Sequence, residues 1–298
     1  MSLRIGLIGK TGQLARAILF EGEARGHEII ALGRDALDLT ASPSEIRTVI
    51  AGLPSGLDVL INAAAYTNVD GAETEPDVAY QVNATAPAIL AQACVAHDLP
   101  FIHISTDYVF DGEADQPYQT DDDTDPLGVY GASKLDGELA VLESGARALI
   151  LRTSWVYDGE GRNFLTTMLR LAETRSQLSV VDDQIGRPTY TGHLAAAIFK
   201  AAEIIAAETD FETEIYHVTN GGEQISWADF AKAIFKAKGL DVKVENIPTS
   251  DYPTPAERPA YSVLDTDSFE RTFHHPLPEW QAGLRAALDR ADADDVAA

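Results

Sequence analysis

The sequence predicts an α/β protein built on a doubly wound parallel sheet with a smaller C-terminal lobe. Short, β-branched apolar runs alternate with longer segments of helical period through the first half, which is the pattern of parallel βαβ units. Beyond about Trp155 the alternation gives way to a less regular series of helices, which implies a second unit. With 298 residues, the chain has room for both, at about 100–200 residues per domain.

The expected strands are Arg4–Ile8, Glu28–Leu32, Asp58–Asn62, Pro100–Ser105 and Ala148–Thr153. Each is short and largely apolar, as strands buried on both sheet faces must be. Helices fit between them at Thr11–Arg25, Pro76–His97 and Tyr130–Glu143. Pro87, inside the second, has no N–H to donate and marks a kink or a break. Helices at Asn163–Thr174, Thr191–Ala206, Trp227–Lys238 and Glu279–Ala291 follow. Ser226 is a natural N-cap, with Asp229 three residues on, ahead of the apolar stripe Phe230, Ile234 and Phe235. Glu214–Val218 reads as one more strand, so parts of 185–220 extend the sheet. The expected division is a dinucleotide-binding domain over 1–155, a lobe interleaved with it over 156–288, and a frayed acidic tail over 289–298. Pro248–Pro259 holds four prolines and reads as an extended loop.

At 45% hydrophobic and 23% charged the composition is ordinary, but the formal net charge of −25 is not. The acids are spread along the chain, and such a surface repels phosphate backbones and anionic lipid; nucleic acid and membrane are excluded as partners. The surplus acid reads as adaptation to concentrated salt, where the screening length shrinks to roughly 3 Å at 1 M and self-repulsion is relieved. A single cysteine, Cys94, excludes intramolecular disulfides and thiol-cluster metal sites. Its apolar neighbours make it a buried, inert thiol. No cationic and then apolar leader precedes the first strand, and no run approaches the roughly 20 apolar residues of a membrane span. The expected location is the cytoplasm.

Gly9-Lys10-Thr11-Gly12-Gln13-Leu14-Ala15 follows the first strand and opens a helix. In this GxxGxxA turn Gly9 allows the tight bend, Gly12 lets backbone approach a pyrophosphate, and Ala15 keeps helix and sheet close, as in a Rossmann-type site. The helix N-terminus then faces phosphate with free N–H groups. A P-loop is the competitor, but it requires a glycine where Arg4 stands. The second strand ends in Gly33-Arg34 instead of the acid that holds the ribose of NAD, and a guanidinium there suits a 2′-phosphate, so the expected cofactor is NADPH or NADH, with NADPH at least accepted. Asp35 and Asp38 blur that distinction, and Arg34 reads equally as a solvated surface residue.

Tyr130-Gly131-Ala132-Ser133-Lys134 sets a phenol and an ammonium four residues apart on one helix face. A tyrosine pKa near 10 makes a poor proton donor or acceptor at neutral pH unless a cation stabilises the phenolate, and Lys134 is spaced to do so. Hydride reduction of a carbonyl needs a proton for the forming alkoxide, and general acid help is worth about 10²–10⁴-fold. Thr106 in Ser105-Thr106-Asp107 adds a hydroxyl at the carboxyl edge of the sheet, where ligands of such sheets bind. Alone it reads as strand-end capping.

Taken with Asn62-Ala63-Ala64-Ala65-Tyr66-Thr67, Ser105-Thr106-Asp107-Tyr108-Val109-Phe110-Asp111-Gly112 and Arg152-Thr153-Ser154-Trp155-Val156-Tyr157, these strings in this order resemble the dTDP-4-dehydrorhamnose reductases, a branch of the extended short-chain dehydrogenases. The resemblance spans nearly the whole chain and implies reduction of the 4-keto group of a nucleotide-linked deoxysugar. It makes Tyr130 the proton donor, Lys134 its tuning group and the holder of the nicotinamide ribose, and Thr106 the partner of the substrate carbonyl. Cofactor contacts are implied at Gly9, Lys10, Thr11, Gly12, Gln13, Leu14, Arg34, Asp38, Leu39, Ala63, Ala64 and Tyr66. Substrate contacts are implied at Thr106, Asp107 and Trp155, at Arg187 near the cleft, and at Arg258 on the diphosphate. Trp155 reads almost equally as a core aromatic. Some members of the family bind Mg2+, but no spaced carboxylate cluster supports it here; a homodimer is compatible with the resemblance.

A sugar-nucleotide dehydratase shares the scaffold but carries an Asp-Glu pair after the threonine, and here Asp107 is followed by Tyr108. A 4-epimerase remains open, as does a non-catalytic subunit similar to the regulatory subunit of methionine adenosyltransferase. Stoichiometric NADPH consumption separates the first from a reductase. Tyr130, Lys134 and Thr106 are all present, so lost catalysis has no support in the residues.

Overall fold

A computed structural model of the protein describes residues 2–208 and 211–297. The first half contains β1 (Arg4–Ile8), α1 (Gln13–Arg25), β2 (Glu28–Leu32), α2 (Pro43–Ala51), β3 (Val59–Asn62), α3 (Val69–Ala72), α4 (Pro76–Tyr80), α5 (Ala86–Ala96), β4 (Phe101–Thr106), α6 (Val129–Glu143) and β5 (Ala148–Thr153). There follow β6 (Val156–Tyr157), α7 (Phe164–Ala172), β7 (Gln177–Val181), β8 (Ile185–Gly186), β9 (Thr189–Tyr190), α8 (Thr191–Ile205), β10 (Glu214–His217), β11 (Ile225–Ser226), α9 (Trp227–Lys238), β12 (Lys243–Ile247), α10 (Asp267–Phe273) and α11 (Trp280–Ala297).

Six parallel strands form the central sheet in the order β10-β5-β4-β3-β1-β2. The order reverses between β1 and β3, so the connections leaving these neighbours diverge and open a crevice at their carboxyl ends. On one face α1 and α8 pack over Leu7, Ile61, Ile102 and Leu149. On the other, α2, α5 and α6 cover Ile8, Leu60, Phe101 and Ile150. Full burial of each such side chain contributes about 1.5–3 kcal/mol, which fixes the three layers. A smaller lobe gathers α7, α9, α11 and the parallel pair β7 and β12 around Tyr157, Phe230, Trp280 and Leu284.

Three local features depart from the sequence reading. α1 begins at Gln13, because Gly12 takes an extended N-cap geometry (φ −65°, ψ 151°) and leaves Thr11 outside the helix. The segment expected as one helix with a break at Pro87 is α4 and α5 joined by a π-helical turn, Gln81–Thr85. Pro87 cannot donate to the Asn83 carbonyl four residues back, and the widened turn relieves the clash between ring and carbonyl. The expected frayed tail is also corrected: α11 continues through it to Ala297. Arg290 pairs there with Glu160, Lys238 with Asp292, and Gly159 lies against the backbone of Ala287 and Ala291.

Candidate active site

The crevice between β1 and β3 is shaped by glycine. Gly9 turns at φ +109° beside Ala63 and Ala64, whose backbone a Cβ on Gly9 would meet at 3.4 Å. A Cβ on Gly12 would meet nothing within 4 Å, so the N-terminus of α1 opens onto free space. That terminus has no side-chain cap and no acid in its first turn, and its N–H groups and dipole are left for an anion. The buried Oε1 of Gln13 has no hydrogen-bond partner, although its Nε2 donates to the Val156 carbonyl at 3.0 Å. Lys10 packs alongside Gly33, next to the exposed Arg34. In a chain of charge −25, two cations and a bare helix end at one sheet edge suit phosphate groups. Asp38 is held by Thr40 N–H and hydroxyl at 2.9 and 2.7 Å, which lower its pKa, and Arg34 adds to the effect. Leu39 is buried in the sheet core, its carbonyl accepting from Gln81. Tyr66 hydrogen-bonds Glu75 Oε2 at 2.7 Å. These residues fit a dinucleotide.

At the carboxyl ends of β4 and β5, Thr106 and Thr153 stand side by side in register. The Thr106 hydroxyl donates to Asp107 Oδ1 at 3.0 Å and also reaches the Tyr130 phenol. Burial pushes that phenol up to about 12; the Thr106 contact pulls it down and the Asp107 charge pushes it further up. Burial likewise lifts Asp107 to about 6, against hydrogen bonds from Ser262 and Thr106. Asp107 Oδ2 is buried and unpaired. Tyr130 makes an edge contact with Tyr108, ring centroids 5.5 Å apart.

Lys134 shares the helix face of Tyr130, and its ammonium rests on the strand beneath. Among the described residues its Nζ bonds the Ile104 carbonyl at 2.6 Å and contacts His103 Nε2 at 3.4 Å. A buried cation must find acceptors, and the backbone of β4 supplies one. Burial draws the ammonium down to about 8, while Glu138 one turn along pushes it back up. Glu138 is itself held by a bidentate, buried pair with Arg152 at 2.7–3.1 Å.

The three remaining positions are each held by neighbours of their own. Trp155 sits at φ +47°, a conformation unusual for a bulky residue, with its indole stacked on Trp227 (3.5 Å, 6°) and against Gly186. Arg187 Nη1 donates to the Leu264 carbonyl and its buried Nε has no partner. Arg258 pairs with Asp70 Oδ2 at 3.0 Å and lies close enough to Tyr108 to act on its phenol. Among the described residues no trio of His, Cys, Asp or Glu is placed to hold a metal, and no helix is long and apolar enough to cross a membrane.

Several supporting residues escaped the sequence reading. Asn83, in the π-turn, accepts from Tyr66 N–H and donates to the Tyr66 carbonyl and to Ser133, tying the cofactor loop to α6. Glu73 accepts from Val129 N–H at 2.8 Å and so caps α6 from another element. Ser262 reaches Asp107 from the far end of the chain. No local pattern marks them, because each acts across a long sequence separation.

The family described as the RmlD substrate binding domain matches residues 3–293. The chain is 42% identical to a dTDP-4-dehydrorhamnose reductase of Sinorhizobium fredii over 95% of its own length and 96% of that protein's. A crystal structure of a dTDP-4-dehydrorhamnose reductase from Clostridium acetobutylicum superposes with a TM-score of 0.89 at 37% identity, covering 97% of this chain and 100% of the other. That from Bacillus anthracis, in complex with NADP, gives 0.89 at 35%, with the same coverage. The chain belongs to the RmlD substrate binding domain family.

Proposed function

We propose that the protein reduces the 4-keto group of dTDP-4-dehydro-L-rhamnose to dTDP-L-rhamnose with NADPH, for glycan or glycoprotein assembly, as a cytoplasmic enzyme. The observation that carries this reading is the meeting of Tyr130, Thr106 and Asp107 beside the glycine crevice, in a chain whose relatives bear that activity in their names. The cofactor, when bound, supplies the hydride. Gly9, Gly12, Gln13 and the start of α1 would receive its pyrophosphate, and Arg34 its 2′-phosphate; Lys134, turning from the Ile104 carbonyl, would hold its ribose. Thr106 donates to the substrate carbonyl oxygen, and Tyr130 gives the phenolic proton to that oxygen as it becomes an alkoxide. Trp155 and Arg187 border the sugar, and Arg258 exchanges Asp70 for the diphosphate.

The test mixes the protein with dTDP-4-keto-6-deoxy-L-mannose and NADPH in high salt and follows the nicotinamide absorbance. Stoichiometric oxidation supports a reductase; turnover without net oxidation points to an epimerase. Tyr130→Phe should abolish turnover and keep cofactor affinity, and wild-type rates in that variant would end the proton-donor role. We also read the charge of −25 as adaptation to concentrated salt. Full activity after dialysis into low salt would overturn this reading.

A further inference from the structure

Behind the Tyr130 helix runs a chain of three buried polar side chains, Asn62, His103 and Lys134, exposed by 0%, 0% and 2%. Ala64 N–H donates to Asn62 Oδ1 at 3.2 Å, which orients the amide and turns its Nδ2 to His103 Nδ1 at 3.1 Å. An amide nitrogen only donates, so Nδ1 must accept, and the neutral imidazole then carries its proton on Nε2. Burial and the neighbouring Lys134 charge keep this ring neutral far below the usual histidine range. Its Nε2–H faces Lys134 Nζ at 3.4 Å. An ammonium has no lone pair to receive that proton, whereas a free amine has one.

We propose that His103, oriented by Asn62, is a positioning residue that sets the protonation state of Lys134, favouring the free amine so that this side chain passes protons instead of retaining one. The role rests on the reading of Tyr130 as proton donor given above. Tyr130 gives its proton to the alkoxide, the phenolate takes one from the Lys134 ammonium, and the resulting amine accepts a hydrogen bond from Nε2–H, the proton staying on the ring, until a proton from solvent restores the ammonium. One solvent proton enters for each hydride delivered. The charged and titratable groups set against Lys134 are His103 on β4 and Glu138, one turn along α6 and held by Arg152 of β5; Tyr130 stands one turn back on the same helix face. Burial lowers the pKa of Lys134, and Glu138 opposes it by favouring the ammonium.

Long-range proton–nitrogen correlation spectra of the full-length protein, labelled at histidine and assigned by the loss of one ring in His103→Leu, read the tautomer directly. Between about pH 6 and 9 the expected pattern is a bare Nδ1 and a protonated Nε2. A protonated Nδ1, or an imidazolium, overturns the proposal. Asn62→Asp replaces the donor by a carboxylate acceptor, which should invert the tautomer and turn Nε2 into an acceptor for the ammonium. The Lys134 side-chain titration and the alkaline limb of kcat should then rise by about one pH unit or more. In a His103→Leu background the same substitution should move them by less than half as much. An equal shift there, or no shift with His103 present, overturns the proposal. Were turnover absent altogether, the reductase reading would fall while the Lys134 titration still decided the role of His103.

Discussion

Gly137 lies on α6 between the catalytic turn and Glu138, where the helix crosses the π-turn. A Cβ at this position would stand 2.0 Å from the Asn83 carbonyl oxygen and 3.2 Å from its carbon. The first is well over 1 Å inside a normal van der Waals separation of about 3.5 Å. The struck atom is backbone, so no side chain can rotate away. Gly137→Ala should therefore push α6 off the π-turn. Overpacking costs about 1–3 kcal/mol, more where backbone is hit, and alanine returns about 1 kcal/mol of helix propensity. The net loss is up to about 2 kcal/mol, a fall in Tm of up to roughly 3 °C for a chain of this size. The effect on turnover should exceed the effect on stability, since Tyr130 and Lys134 ride on the displaced helix and a shift of about 1 Å costs up to about 10²-fold. Thermal unfolding and steady-state reduction of the keto-sugar, measured on the same samples, give both quantities. A variant with wild-type Tm and kcat would refute the contact between α6 and the π-turn.

Asp107→Asn should act on stability in a pH-dependent way. The folded pKa of about 6 lies above the ordinary 3.8, so the aspartate's contribution is present in acid and lost as pH rises through 6. The asparagine variant should match wild type near pH 4 and be more stable at pH 7–8, by at most about 3 kcal/mol for a shift of two units; equal curves would contradict it. Arg152→Met leaves Glu138 buried and unpaired, and denaturant unfolding should record a loss of about 3–5 kcal/mol. Arg152→Met with Glu138→Leu should recover most of it. Arg34→Ala should weaken NADPH at least about tenfold, the worth of one charge-assisted hydrogen bond of about 1.5 kcal/mol, and leave NADH unchanged. Equal losses for both cofactors, measured by fluorescence titration, would remove the 2′-phosphate from the Arg34 contact.

What the sequence discloses is what local chemistry records. The apolar strands, the Gly9 and Gly12 turn and the Tyr130–Lys134 spacing can all be read from neighbouring letters, and the central sheet is parallel throughout. α2 has an equally local signature, since Ser42 and Glu45 form its capping box with Pro43 at its first turn. The direction of the Lys134 side chain could not be read, because its acceptor is a β4 carbonyl thirty positions away. The same holds for Arg258: the family resemblance implies a diphosphate ligand, and only the folded chain reveals Asp70, separated by 188 positions, as the partner it holds. The tail follows the same rule. Its composition is that of a solvated end, and the contacts ordering Arg290 and Asp292 come from Glu160 and Lys238.

The parallel indoles of Trp155 and Trp227 have an optical consequence. Two such chromophores at 3.5 Å and 6° exchange excitation, so their near-ultraviolet dichroism and emission belong to the pair and not to either ring. One member stands at the end of β5 and the other begins α9, which makes the signal a gauge of how the small lobe sits over the sheet. A sugar pressing on the first ring would be visible without any label.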